Sequence, residues 1–463
     1  MTENLSVLQR MDRLPITSLH MRMFYIIAAS EFFSGFILYA PASLVVSAYK
    51  TLHFTPSVIP LILSAAGIGT LAGAIVFSYL SDALGRRLIF QFDMLFLSLG
   101  SLAMAFSVNW QMLFITLVIA SIGSGGFVGV DNAYLAEYFP SNTRGKWMTF
   151  TLVLFSVGQM LANGIFAASA ILPNFWAWRL IPIIGFSGAF FAWAARRTLP
   201  ESVRYLILKG ESEEAEKVAT KFERAAGPSY AYSGTRVIPK FDAKPKADWK
   251  KIFSRQYLKY TVTLFSGFFV VDLLLSFNAY LPVVFTRGLG GSSSLGTLST
   301  LIIIEVITGT FLIYRVISSF IIDKLGRKFV QLLGYSVCAL GLVLWAYPWT
   351  HRTSVSIFYL LIPGLMFGFW NFWLMGYNVT AADVYPAESR SQGLGYGSAA
   401  GRVGATIGPF IFAAALSNIT ILFYTYAALA FLVFLMTWAW IPETRRQSIE
   451  VSSREKVETI EKI

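Results

Sequence analysis

Residues Gly125 to Gly145 read GGFVGVDNAYLAEYFPSNTRG, and the order of chemistry along them decides the fold class. The stretch opens as an apolar helix and carries a carboxylate, Asp131, among Val130, Ala133 and Tyr134. It closes in a charged turn marked by Glu137, Pro140 and Arg144. A charge in hydrocarbon costs roughly 3 kcal/mol or more, so Asp131 predicts a working site inside a membrane. The turn after it predicts the hinge of a gate.

The rest of the chain is built of similar apolar material. Of 463 residues, 56% are hydrophobic and 13% charged, against about 25% charged in soluble proteins. The chain therefore reads as a polytopic membrane protein whose main partner is the lipid bilayer. Its formal charge of +12 is the excess that fixes membrane orientation, and no nucleic-acid partner is expected. Cys338 is the only cysteine, so neither an intramolecular disulfide nor a cysteine metal site is expected. Met1 to Leu19 is polar and shows no cleavable signal pattern. No phosphate loop, metal-ligand spacing or nucleophile elbow appears. The reading is not an enzyme, with no cofactor and no metal, drawing energy from gradients.

A helix needs about 20 mostly apolar residues to cross a bilayer. Twelve such runs are found: 22–48, 57–80, 88–107, 110–138, 147–171, 177–197, 258–285, 298–322, 327–347, 354–382, 392–416 and 420–441. The expected class is an all-α membrane protein with twelve transmembrane helices in two pseudo-symmetric six-helix bundles. The organisation is a cytoplasmic N-terminus (1–21), a bundle (22–197), a cytoplasmic loop (198–257), a second bundle (258–441) and a cytoplasmic tail (442–463). Lys and Arg sort by side. Arg10, Arg13, Arg22, Arg86, Arg87, Arg144, Lys146, the loop, Lys324, Arg327, Lys328, Arg390, Arg445 and Arg446 face one way. Lys50, Arg179, Arg287 and Arg352 face the other. The positive-inside rule then puts both termini in the cytoplasm, in a monomer of the plasma membrane.

The two bundles repeat one another. Asp82-Ala-Leu-Gly-Arg-Arg87 returns as Asp323-Lys-Leu-Gly-Arg-Lys328, 241 residues on. Pro200-Glu201-Ser202 returns as Pro442-Glu443-Thr444, at 242. Ala136-Glu137-Tyr-Phe-Pro140 with Arg144 returns as Ala382-Asp383-Val-Tyr-Pro386 with Arg390, at 246. Parallel repeats place the substrate site between the halves near the midplane. Asp131 has no echo, since Tyr377 takes its place in the second half.

These motifs resemble the major facilitator superfamily across almost the whole chain. Together with PESVRYLILKGES from Pro200 and PETRR from Pro442, they are similar to the branch of sugar porters, organic-ion transporters and synaptic-vesicle-protein-like transporters. Two positions depart from the common loop motif: Ser78 replaces its glycine and Ala83 its basic residue. The expected cytoplasmic gate is Asp82, Arg86, Arg87, Glu137, Arg144 and Glu201, with Asp323, Arg327, Lys328, Asp383, Arg390 and Glu443. Arg86, Arg87 and Arg144 are expected to meet Glu137 and Glu201 in one half. Arg327, Lys328 and Arg390 are expected to meet Asp383 and Glu443 in the other.

The resemblance implies that helices one, four, seven and ten line the cavity. Glu31, Asp131 and Asp272 fall on the first three, and a carboxylate in apolar surroundings can load and release a proton. His20, His53 and His351 sit at or beyond helix ends, so proton coupling must rest on Asp131, Asp272 and Glu31, with Asp131 first. The alternative for Asp131 is a structural pair, with Arg402 as its cation. Asp93 is read as a latch partner of Arg87. Glu305 is either an outer gate or half of an ion pair, and Arg315, ten residues away, is too far to pair with it.

VGQMLAN (157–163) resembles the sugar-porter GQLL motif, which implies a sugar contact for Gln159. The substrate set is Gln159, Asn163, Asp272, Asn278, Tyr280, Trp370, Asn371, Trp373, Tyr377, Asn378 and Arg402. A guanidinium binds carboxylates in bidentate fashion, so Arg402 speaks for an organic anion or for an ion pair with Asp131 or Asp272. The leading expectation is a proton-coupled symporter importing a small polar solute, a sugar ahead of an organic or aromatic acid. An exporter of organic ions or drugs and a non-transporting receptor are the alternatives.

Overall fold

The computed structural model describes residues 6–38, 48, 51–55, 58–140, 142–168, 174–230, 249–278, 294–351, 357–386, 389–415 and 418–445. Asn278 and Glu305 lie within this range by backbone only, as do Asp82 and Asn163. Tyr280 lies outside the described residues.

The apolar runs form long helices. In the first half these are α1 (Ser18–Leu38), α2 (Ile59–Leu84), α3 (Arg86–Ala105), α4 (Trp110–Tyr138), α5 (Arg144–Ala168) and α6 (Leu180–Phe186, then Gly188–Thr198). In the second they are α7 (Leu258–Asn278), α8 (Ser294–Leu325), α9 (Arg327–His351), α10 (Ile357–Phe367, then Trp370–Val384), α11 (Arg390–Ala415) and α12 (Ile419–Trp440). Among the described residues, eight spans are long and apolar enough to cross a membrane on those grounds alone: α1 to α4, α7, α9, α10 and α12. The remaining four segments are broken, glycine-rich or more polar.

Local chemistry sets the ends. Asn109 caps α4 by accepting the Met112 N–H at 2.8 Å. Arg179, at the start of α6, donates to the carbonyls of Ala105 and Ser107 at 3.0 Å, so a cation meets the negative end of α3. The run expected as one helix over 354–382 is instead broken at Gly368-Phe369. There the bonds tighten to the three-residue type, with Phe369 N–H donating to Met366 O and Phe372 N–H to Phe369 O, and Gly368 lies against Tyr314 and Phe311, where a side chain would collide.

The repeat reappears in the packing. α1 pairs with α5, α3 with α4 and α3 with α6. Their counterparts, α7 with α11, α9 with α10 and α9 with α12, pair likewise. The halves join along two symmetry-related seams, α2 with α11 and α8 with α5. The glycine that Ser78 replaces is compensated from the other side. Ser78 lies against Gly395 of α11, and Gly67 lies against Thr406, so close approach survives with the small residue on the partner helix. Large apolar side chains such as Tyr25, Phe92, Phe190, Ile313, Phe431 and Trp438 are exposed, as a lipid-facing surface requires.

A cap of short helices covers the basic end. Val7–Asp12, closed by a Ser6/Gln9 capping box, packs on the amphipathic helix Ser212–Ala226. Arg10, 1% exposed, forks onto Glu223 and Glu216 at 2.7–3.0 Å.

Candidate functional site

The duplicated motifs meet at the basic end, but they pair across the halves. Glu137 accepts from Arg86 at 3.1 Å within its own half and from the hydroxyl of Ser202. It also faces Arg390 of the other half at 3.9 Å. Asp383 holds Arg327 at 3.6 Å and Thr444 at 2.9 Å, and it faces Arg144 of the first half at 3.5 Å. Arg144 and Arg390 have thus exchanged acids relative to the within-half expectation, because the pseudo-two-fold places each helix start opposite the other half's acid.

Glu201 and Glu443 meet the motif's basic residues through backbone amides. Glu201 accepts the backbone N–H of Arg86 at 3.1 Å, and Glu443 those of Arg327 and Lys328 at 2.9 and 3.1 Å. Each is a carboxylate at a helix N-terminus, where the dipole favours it. Gly85 and Gly326, at φ of 107° and 101°, turn the chain so that those amides point at the acid. Asp323 bonds Arg327 at 2.9 Å and caps α5 across the seam through the Lys146 N–H at 2.8 Å. These contacts join the two halves at this end.

Midway along the helices lies a second cluster. Glu31 (2% exposed) and Asp131 (1%) lie within electrostatic reach of one another. Ser30 has one hydroxyl hydrogen but two short oxygen contacts, to Ile27 O at 2.6 Å and Asp131 Oδ2 at 2.7 Å. Asp131 Oδ1 and Glu31 Oε1 are buried without a hydrogen-bond partner among the described residues. Nearby, the hydroxyls of Ser34 and Ser124 meet across α1 and α4. Asp93 is not a partner of Arg87. It is fully buried against Gly126 of α4, within reach of Asp131, and both its carboxylate oxygens lack hydrogen bonds.

The second half supplies the cations. Arg402 donates to Asp272 at 2.9 Å, so the pairing with Asp131 is replaced by one with α7. Glycine decides this, since Gly401 brings α11 against Asp272 too closely for a Cβ. Arg315 was not among the expected site residues. It is 2% exposed in mid-α8 and donates to Asn371 Oδ1 at 2.8 Å and, across the seam, to the Leu152 carbonyl at 3.0 Å. Phe155 and Trp370 flank it at 5.3 and 5.6 Å. The signal was in the sequence: an arginine inside an apolar run is a functional candidate by itself.

The expected polyol set is dispersed. Gln159 is buried on α5. Asn371 is engaged by Arg315 and donates to Gly368 O, and Asn378 bonds Leu374 O. Trp373 packs on Tyr335 at 3.9 Å, and the Tyr377 hydroxyl reaches Thr263 and Thr437 on α7 and α12. Trp373 and Tyr377 thus face the interior of the second bundle, because α10 turns that side toward α9.

Residues 24–455 match the family described as sugar (and other) transporter. The chain belongs to that family. It is similar to a niacin transporter of Acinetobacter baylyi, 25% identical over 88% of this chain and 90% of the relative. It is also similar to a probable inorganic phosphate transporter of Arabidopsis thaliana, 25% identical over 84% and 82%. Among solved structures, a proton:xylose symporter bound to 6-bromo-6-deoxy-D-glucose superposes with a TM-score of 0.77 at 20% identity, covering 95% and 99% of the two chains. A human organic anion transporter gives 0.66 at 17%, covering 90% and 99%. The fold is therefore that of the major facilitator superfamily, and this transporter is a multi-pass membrane protein.

Proposed function

We propose that this transporter is a proton-coupled symporter that carries a small polar metabolite into the cell by alternating access, with the basic end and both termini in the cytoplasm. One observation carries the proton reading. The Ile27 carbonyl can only accept, and a hydroxyl donates once. Both short contacts of Ser30 are satisfied when Ser30 donates to Ile27 and a protonated Asp131 donates to Ser30. Asp131 then holds a proton in the state whose cytoplasmic mouth is closed, and Glu31 beside it is the next acid in line. The crossed latch supports the same cycle, because its ion pairs join the halves in this state and must part when the mouth opens.

Two substrate readings remain within this function. The family's description and Gln159 support a sugar. The two mid-membrane arginines support an organic acid, as does the relative named as a niacin transporter, and the relative named as a probable inorganic phosphate transporter supports an anion. The test is uptake into liposomes under an imposed proton gradient. Asp131→Asn should abolish uphill accumulation while substrate exchange persists; an Asn variant that still concentrates substrate removes Asp131 from the coupling role.

A further inference from the structure

Among the described residues, Arg402 is held by one corner of its guanidinium. Its Nη1 donates to Asp272 Oδ2 at 2.9 Å. Its Nε is buried without a partner, while the side chain keeps 19% exposure. The edge formed by Nε and Nη2 therefore carries no hydrogen bond among the described residues. That edge presents two parallel N–H donors, the pattern that takes both oxygens of a carboxylate at once. Asp272 fixes the plane of the group from the other side, so the edge is already oriented. The indole N–H of Trp370 is likewise buried and unpartnered among the described residues, and its ring lies 5.6 Å from Arg315.

The charges around this edge are few. Glu31 lies within electrostatic reach of both Arg315 and Arg402. From its own helix and its neighbours, the ionisable groups facing it are Asp131 on α4 and the two arginines on α8 and α11, with Asp272 behind Arg402. With Glu31 ionised and Asp131 protonated, two cations stand against two carboxylates and nothing favours a further anion. With Glu31 protonated, the same two cations stand against Asp272 alone, and one positive charge is left unmatched.

We infer that the Nε–Nη2 edge of Arg402 binds the carboxylate of a small organic anion, and that Glu31 is the acid whose protonation admits it. This rests on the proton-coupled reading above and names its substrate class. The Asp131 proton moves to a Glu31 oxygen and a proton from the outer side replaces it on Asp131; the monoanion takes the place of the Glu31 charge beside the arginines, and the anion and the Glu31 proton leave on the cytoplasmic side. The proton dissociates there as the anion departs, so the carboxylate of Glu31 is restored. One proton and one monoanion cross together, and the step moves no net charge. Arg315, held by Asn371 and Leu152, supplies a fixed field rather than a ligand.

The test measures thermal stabilisation of the purified full chain by a panel of small carboxylates including nicotinate, by inorganic phosphate and by xylose, at mildly acidic and mildly alkaline pH. Carboxylates should stabilise the protein, and more strongly at acidic pH, because ligand binding to the folded state raises its stability. Arg402→Lys keeps the charge but loses the planar fork, and should weaken carboxylate binding by about tenfold or more. Its unliganded melting temperature reports whether it folds. Glu31→Gln, which mimics the protonated acid, should bind carboxylates equally at both pH values. Stabilisation by xylose or phosphate and by no carboxylate overturns the inference. So does carboxylate binding that is indifferent to Arg402→Lys, or that keeps its pH dependence in Glu31→Gln. Carboxylate binding through Arg402 without proton flux in liposomes defeats the coupling reading and leaves the site. Xylose accumulation with protons does the reverse.

Discussion

Replacing Arg144 by Gln should open the basic end of this transporter. Arg144 stands 3.5 Å from Asp383 across the halves and 3.7 Å from Asp12. Asp383 is also held by Arg327 and Thr444 of its own half, so its contact with Arg144 is the one that joins it to the other half. Two charges at that distance attract by about 5 kcal/mol at an effective dielectric of 20. Coupling energies of close charge pairs across interfaces run from about 1.5 to 7 kcal/mol once desolvation is included, and a pair at 3.5 Å belongs at the low end. The Asp12 contact adds little, since Asp12 is about one-third exposed. A loss of about 2 kcal/mol shifts the closed-to-open ratio roughly thirtyfold. The assay is a distance distribution between nitroxides on Asn142→Cys and Lys324→Cys, one on each side of the mouth, with the native Cys338 changed to Ala. Arg144→Gln should add a longer separation absent from the parent, and Asp383→Asn should have no further effect on top of it. An unchanged distribution in Arg144→Gln, or fully additive effects of the two substitutions, would refute the crossed latch.

Three further outcomes follow from the same geometry. Burial pushes the Glu201 carboxyl above its ordinary range, against the Ser202 and Arg86 amides and the Arg86 charge that pull it down. The folded state thus binds this proton more tightly than the unfolded chain, so Glu201's contribution is complete below the unfolded pKa and is lost as pH rises through the folded value. Melting temperature against pH should therefore fall less steeply across that window in Glu201→Gln, and an identical slope contradicts the assignment. Gly395→Val places a side chain against Ser78 where none fits; it should part α2 from α11 and favour the longer separation in the nitroxide assay, and a distribution like the parent's rules out that seam. Arg10→Met strands Glu216 and Glu223, at a cost of about 3–5 kcal/mol for a broken buried pair. Adding Glu223→Gln should recover part of the lost melting temperature, and no recovery would mean that the fork does not hold the cap.

Much of this was written in the chain. Apolar run length gave the helices, and the recurrence of Asp, Glu, Pro and Arg at nearly one offset gave the two halves, because hydrocarbon thickness and duplication act on sequence directly. The acids Glu31, Asp131 and Asp272 were legible for the same reason, since a mid-membrane carboxylate needs an explanation. Partners were not legible. Arg402 had a substrate anion, Asp131 and Asp272 as candidate partners until Gly401 brought α11 onto α7. The latch arginines were assigned to acids of their own half until the two-fold set each opposite the other's acid. Glu201 read as an arginine partner until the turn at Gly85 aimed backbone amides at it. Trp373 and Tyr377 looked like substrate contacts because sequence gives residue type but not which side of a helix faces the cavity.

What the sequence determined by itself is periodic or local: the spans, the repeat and the cost of a charge in an apolar run. What only the tertiary structure decided is which of those charges neutralise one another. Interactions between charges are set by distances of a few ångströms, and those distances depend on how glycines let distant helices approach. Arg402 with Asp272 is a product of that approach at Gly401, and Arg144 with Asp383 joins helix ends from the two halves.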